Sequence, residues 1–206
     1  MKEKLTGVWS PLDISDKDVL EAMKGLQGYI DITPGDFREV YQAAYALALT
    51  RLLNTLTAGS IMSRPVVAVE QGMALVQAAG LLAERQVSGA PVVDTEGEIV
   101  GVVSEKDFLK EMGFGAKPSF MQIATHCLHN NSCMIGRLRN RTIGDIMTRP
   151  PITGNPEMRI GEISTLFTER SVNRLPIADA RNRPVGIVTR TDLARAFHTL
   201  GQETKA

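Results

Sequence analysis

The sequence predicts an α/β fold in which two copies of one small unit, short β-strands with helices, pack about a pseudo-two-fold axis beside an N-terminal helical arm. Three observations predict it. Ile61-Met62-Ser63-Arg64-Pro65 returns as Ile146-Met147-Thr148-Arg149-Pro150, and Gly101-Val102-Val103-Ser104-Glu105-Lys106-Asp107 returns as Gly186-Ile187-Val188-Thr189-Arg190-Thr191-Asp192. Between them Val87, Pro91 and Asp94 recur as Val172, Pro176 and Asp179, all at one offset of 85 residues and without a gap. About 17 positions are identical between 57–112 and 142–197, which marks a structural repeat. A unit this small buries no face alone, so the copies are expected to pair and to leave two equivalent clefts.

The arm, 1–56, carries a capping signature at Thr33-Pro34-Gly35-Asp36. Phe37, Val40, Tyr41, Ala44, Tyr45, Ala48, Leu49, Leu52, Leu53 and Leu56 then fall on one helical stripe. A stripe so wide is costly to leave wet, so it covers either the repeat or a second chain. A shorter helix over 15–26 presents Val19, Leu20, Met23 and Leu26. In each copy a helical turn starts at Thr57 (Thr142), and an extended piece follows Pro65 (Pro150). A helix spans 72–86 (157–171), followed by strands at Ala90–Asp94 (Leu175–Asp179) and Ile99–Val103 (Val185–Val188). A last helix opens at Ser104 (Thr189). Gly97 and its counterpart Asn182 stand where the intervening turn needs positive φ. Copy 2 reads Ile152-Thr153-Gly154-Asn155-Pro156 where copy 1 has Val67-Ala68-Val69, a poor strand. The insert, 113–141, is long for a connection, and a helix from Pro118 would carry Phe120, Ile123, Ala124, Cys127 and Leu128. The second copy extends over 142–200, with a tail at 201–206.

Composition narrows the function. Apolar content of 43% and charged content of 22% are those of a globular protein, and a formal net charge of zero argues against nucleic-acid binding. No run of about 18 apolar residues predicts a membrane span. The charged start without an apolar signal segment predicts a cytoplasmic protein. Two cysteines are too few for a disulfide framework. No catalytic triad spacing, Walker-type loop or paired carboxylates stand out, and His198 reads as structural or exposed, so no enzymatic activity is expected.

The Ile-Met-Ser/Thr-x-Pro opening, the Val-x-x-x-Pro-[Val/Ile]-x-Asp middle and the Gly-x-Val-[Ser/Thr]-x-x-Asp ending, in order and twice, resemble a pair of CBS domains, the tandem unit also called a Bateman module. The resemblance covers 57–200 but neither the arm nor the insert. It implies a non-catalytic sensor, commonly a disc-like homodimer. Such a module requires no cofactor and reversibly binds AMP, ADP, ATP or S-adenosylmethionine to regulate an unknown protein partner.

The ending motif suits a ribonucleotide. A strand brings Ser104 or Thr189 to the mouth of a helix, whose free N–H groups favour phosphate. Asp107 or Asp192, three residues on, can accept both donors of a ribose diol. The same spacing is also that of a capping box, which needs no ligand. By analogy with the family, cleft A combines Met62, Val67, Val87, Ser88 and Gly89 with Asn173, Arg174, Ile187, Thr189, Thr191 and Asp192. Cleft B combines Met147, Ile152, Val172, Asn173 and Arg174 with Ser88, Gly89, Val102, Ser104, Lys106 and Asp107. Arg174 replaces Gly89 and Thr191 replaces Lys106 between the copies, so cleft A is expected to prefer a phosphorylated ligand and cleft B to be weaker or differently selective. Plain core packing competes for Val67, Val87, Ile152 and Val172.

Two rival classes remain. His126, Cys127, His129 and Cys133 gather in the insert and could bind metal or sense redox state, although their helical spacing is poor for zinc. A purely structural dimerisation module is the other.

Overall fold

The computed structural model describes residues 15–25, 32–114, 120–129, 138 and 140–203. These fall into two compact units, Met1–Thr55 and Leu56–Ala206.

The first unit holds α1 (Asp16–Gly25) and α2 (Pro34–Thr55). Both start on the same device. Asp18 accepts bonds from the amide and hydroxyl of Ser15 at 2.9 and 2.6 Å, and Asp36 accepts from Thr33 at 3.1 and 2.7 Å. Each pair satisfies amides that the first turn leaves unbonded. Val19 of α1 is buried. On α2 the wide stripe narrows to a seam: Phe37, Tyr41, Tyr45, Leu49 and Leu53 are half-buried, while Val40, Ala44 and Ala48 stand exposed. The reason is width: the half-buried residues run along nearly the whole of α2 at four-residue spacing, and α1 is a single helix that can cover only one side of it.

The second unit contains both copies. Copy 1 runs α3 (Ala58–Ile61), β1 (Val69–Glu70), α4 (Leu75–Glu84), β2 (Gly89–Val93), β3 (Ile99–Ser104) and α5 (Glu105–Glu111). After α6 of the insert (Phe120–His129), copy 2 runs a 3₁₀ turn (Ile143–Asp145), α7 (Ile160–Glu169), β4 (Arg174–Ala178), β5 (Pro184–Thr189) and α8 (Arg190–Glu203). Register repeats with the sequence: Gly89 pairs with Ser104 and Arg174 with Thr189, each hairpin antiparallel and shifted at its far end. Gly97 and Asn182 both adopt positive φ, as their turns require. β1 runs parallel to β2, Val69 opposite Val92. Its counterpart in copy 2 shrinks to one parallel bridge, Gly154 with Ile177, as the Gly and Asn there predict.

The copies exchange their opening segments. The Ala58 and Gly59 amides bond the carbonyls of Met158 and Pro156, and those of Ile143 and Gly144 bond Met73 and Gln71 in the mirror arrangement. Ser63 bridges to Ile187 on β5, and Thr148 bridges to Val102 on β3. Side chains follow. Ile143 and Met147 of copy 2, with Leu138 of the insert, complete the core that Val69, Leu75, Ala78, Leu82, Ala90, Val92 and Val103 build in copy 1. The crossing is tight enough to need glycine. A Cβ on Gly101 would strike Met147, and one on Gly186 would strike Met62. The core of copy 1 therefore does not close on its own residues alone.

Candidate functional site

The exchange leaves a crevice where the mouth of α5 faces the strand of copy 2, the place assigned to cleft B. It encloses about 430 Å³. Copy 1 lines it with Ser88, Val102, Ser104, Glu105, Lys106 and Asp107; copy 2 with Thr148, Pro150, Pro151, Ile152, Ser171, Val172, Asn173 and Arg174. Apolar walls with a few convergent polar groups, in this size range, describe a small-molecule pocket.

Asp107 faces it half-buried. Its Oδ2 accepts bonds from the Ser104 amide and hydroxyl, both 2.7 Å, so the capping box forms. Its Oδ1 has a longer contact, 3.4 Å from the Thr148 hydroxyl. Capping thus occupies one oxygen and leaves the other turned toward the pocket. α5 is under two turns long, so Lys106 and Arg174, more than a helix terminus, supply positive charge.

Arg174 opens β4 and crosses the pseudo-axis. Its Nη2 donates to Ser88 Oγ at 3.0 Å, and its guanidinium covers the face of Gly89, where any Cβ would collide with it. Burial pulls Arg174 below the ordinary arginine value, while the carboxylates of Glu105 and Asp107 act the other way. It remains a cation with a planar fork. Of the two clefts to which the sequence assigns Arg174, the side chain lines cleft B, where small Ser88 and Gly89 on the facing copy leave it a path.

The equivalent position on the other side differs. Asp192 is 7% exposed. Its Oδ2 accepts from the Thr189 amide and hydroxyl at 2.7 and 2.5 Å, and its Oδ1 accepts from Ser63 Oγ at 3.0 Å. With Met62 and Ser63 it borders an open groove beside Arg64 and Arg195. The remaining assigned residues lie as follows. Met62 and Met147 are buried at the crossing, and Val67 is half-buried after Pro65. Ile187 and Thr189 are half-buried on β5, and Thr191 is exposed on α8. Val87 packs on the copy 1 core and borders a different depression, an apolar groove between α4 and α5. Thr148, Glu105, Pro150, Pro151 and Ser171 line cleft B without having been assigned to it. Thr148 and Ser63 occupy one position of the opening motif, which is the signal that could have found them.

Of the insert cluster, His129 is exposed on α6, its Nδ1 2.9 Å from the Thr125 carbonyl. Cys133, the side chains of His126 and Cys127, and Pro118 lie outside the described residues. Among the described residues no helix is long and apolar enough to cross a membrane.

This arrangement is that of two paired α/β repeats with a crevice between them, and comparison with known proteins identifies the family. The CBS domain model matches residues 58–113 and 143–199, over half the chain, and the protein belongs to the CBS-domain family. A similar structure is the CBS domain of a CBS domain-containing membrane protein from Sphaerobacter thermophilus (TM-score 0.60, 29% identity, 76% of this chain and 97% of that one). Another is CBSX2 of Arabidopsis thaliana in complex with AMP (TM-score 0.56, 27% identity, 70% and 97%). In sequence, the uncharacterized protein MJ1426 of Methanocaldococcus jannaschii is 28% identical over 149 residues, 66% of this chain and 88% of that one.

Proposed function

We propose that the chain is a non-catalytic, cytoplasmic regulatory module that reversibly binds an adenine nucleotide or related adenosyl ligand between its CBS copies. The observation that carries this reading is the convergence of Asp107, Lys106 and Arg174 on one pocket walled by Val102, Ile152 and Val172. A carboxylate oxygen suits a ribose diol, two cations suit a phosphate, and apolar walls suit a flat purine. The AMP complex of CBSX2 supports the ligand class.

Signalling needs two states that differ in affinity for the ligand. Its pocket draws on both copies, so binding acts on the crossing between them. Output then passes to a partner protein or to assembly. We propose a homodimer, supported by the α4–α5 groove of about 550 Å³ lined by Leu75, Val76, Leu82, Phe108, Leu109 and Met112. Val76 is 61% exposed there, an apolar surface that a second copy would cover.

Thermal unfolding with AMP, ADP, ATP, S-adenosylmethionine and GTP tests the ligand. At 100 times its Kd a binder stabilises by about 2.7 kcal/mol, a readily measured shift. If no adenosyl compound shifts the midpoint, or GTP matches the best of them, the reading is wrong.

A further inference from the structure

We infer that the two clefts of one chain are unequal by construction: cleft B takes one anionic nucleotide, and a Ser63–Asp192 latch withholds cleft A. This rests on the nucleotide-binding reading above and assigns its stoichiometry.

The inference starts from two carboxylates at one position of the repeat. Both cap a helix through Oδ2, so capping does not separate them. Oδ1 does. On Asp192 it already accepts a 3.0 Å bond from Ser63, and the residue is almost wholly buried. On Asp107 the equivalent contact from Thr148 stretches to 3.4 Å, and the residue is only half-buried. Both carboxylates border open space, so the contact at Oδ1 and the burial are what separate them. A ribose hydroxyl reaching Asp192 would have to displace an internal donor from a buried acceptor. One reaching Asp107 gives up little. Arg174 adds a second asymmetry. Copy 1 offers only Gly89 at its position, so the single planar fork at the pseudo-axis serves one side, and it lies with Lys106 in cleft B. Two cations and an available ribose acceptor therefore meet in cleft B, whereas Asp192, although beside Arg64 and Arg195, keeps its acceptor occupied by Ser63.

Titration calorimetry with ATP on the full chain reads this directly. Wild type is expected to bind one ATP per chain. Lys106→Ala, a change at an exposed side chain that caps nothing, is expected to weaken that single event about ten-fold. Ser63→Ala is expected to raise the stoichiometry to two by freeing Asp192. Two equal sites in wild type, unchanged affinity in Lys106→Ala, or a stoichiometry of one in Ser63→Ala would each overturn the inference. Absence of binding by ATP and every other adenosyl compound would instead remove the functional reading on which it rests. A folded Ser63→Ala protein is verified by its unfolding curve; if that variant does not fold, Ser63→Gly supplies the same test.

Discussion

On the proposed function Asp107 holds two roles, helix cap and ribose acceptor, that one substitution separates. In Asp107→Asn the side chain keeps a carbonyl oxygen, which can still accept the Ser104 amide and hydroxyl now at 2.7 Å from Oδ2. Asn and Asp are comparable partners for such caps, so the stability cost is below about 1 kcal/mol. For a protein of this size that lowers the melting temperature by less than about 4 °C. The other oxygen becomes an NH₂ group aimed at the pocket, a donor where a ribose hydroxyl needs an acceptor. Losing a hydrogen bond to a charged group costs about 1.5–3 kcal/mol, or a 10- to 150-fold rise in Kd. Titration calorimetry with the adenosyl compound that stabilises most, beside a melting curve of the variant, gives both numbers. Unchanged affinity in a folded Asp107→Asn protein would show that this carboxylate is only a cap, and the reading of cleft B would fall.

Ile143 is fully buried in the core of the copy to which it does not belong, so Ile143→Ala is expected to cost about 2–5 kcal/mol and melt copies 1 and 2 in one transition. Calorimetric unfolding in which the two copies melt separately would contradict the exchange. Val76→Glu places a charge in the α4–α5 groove and is expected to convert a dimer to monomers by sedimentation velocity, with pocket affinity retained; an unaltered dimer would place the interface elsewhere. Acid provides a fourth test. Hydrogen bonds from Ser15, Thr33, Thr142 and Arg183 hold Asp18, Asp36, Asp145 and Asp179 below the ordinary carboxylate value of 3.8. Their folded values lie under their unfolded ones, so their contribution is complete above that value and is lost as pH falls through the lowered ones. The melting temperature is expected to change little on this account from pH 7 to about 5 and to fall progressively below that; a fall already complete above about pH 5 would show that other groups control acid stability.

Much of the fold is legible locally because its signals are short-range. Gly97 and Asn182 mark equivalent turns by their tolerance of positive φ, and the capping pairs sit three residues apart. Gly154 and Asn155 weaken the strand that reduces to a bridge. The α2 stripe misleads for the opposite reason. Periodicity states which side chains share a face, and says nothing of how much neighbouring surface exists to cover them.

What the sequence determined by itself is the repeating unit: the offset of 85 residues, the order of its strands and helices, the caps at Ser104 and Thr189 and the residue types that could meet a nucleotide. α4 and α7 begin three residues later than the pattern places them. What only the tertiary structure decided is which copy each piece serves. Opening segments exchange, Arg174 turns to Ser88 across 86 residues, and Ser63 reaches Asp192 across 129. Such distances leave no trace in a periodic pattern. The two ending motifs share one local code, Ser/Thr-x-x-Asp, and packing alone sets Ser63 3.0 Å from Asp192 while Thr148 stands 3.4 Å from Asp107.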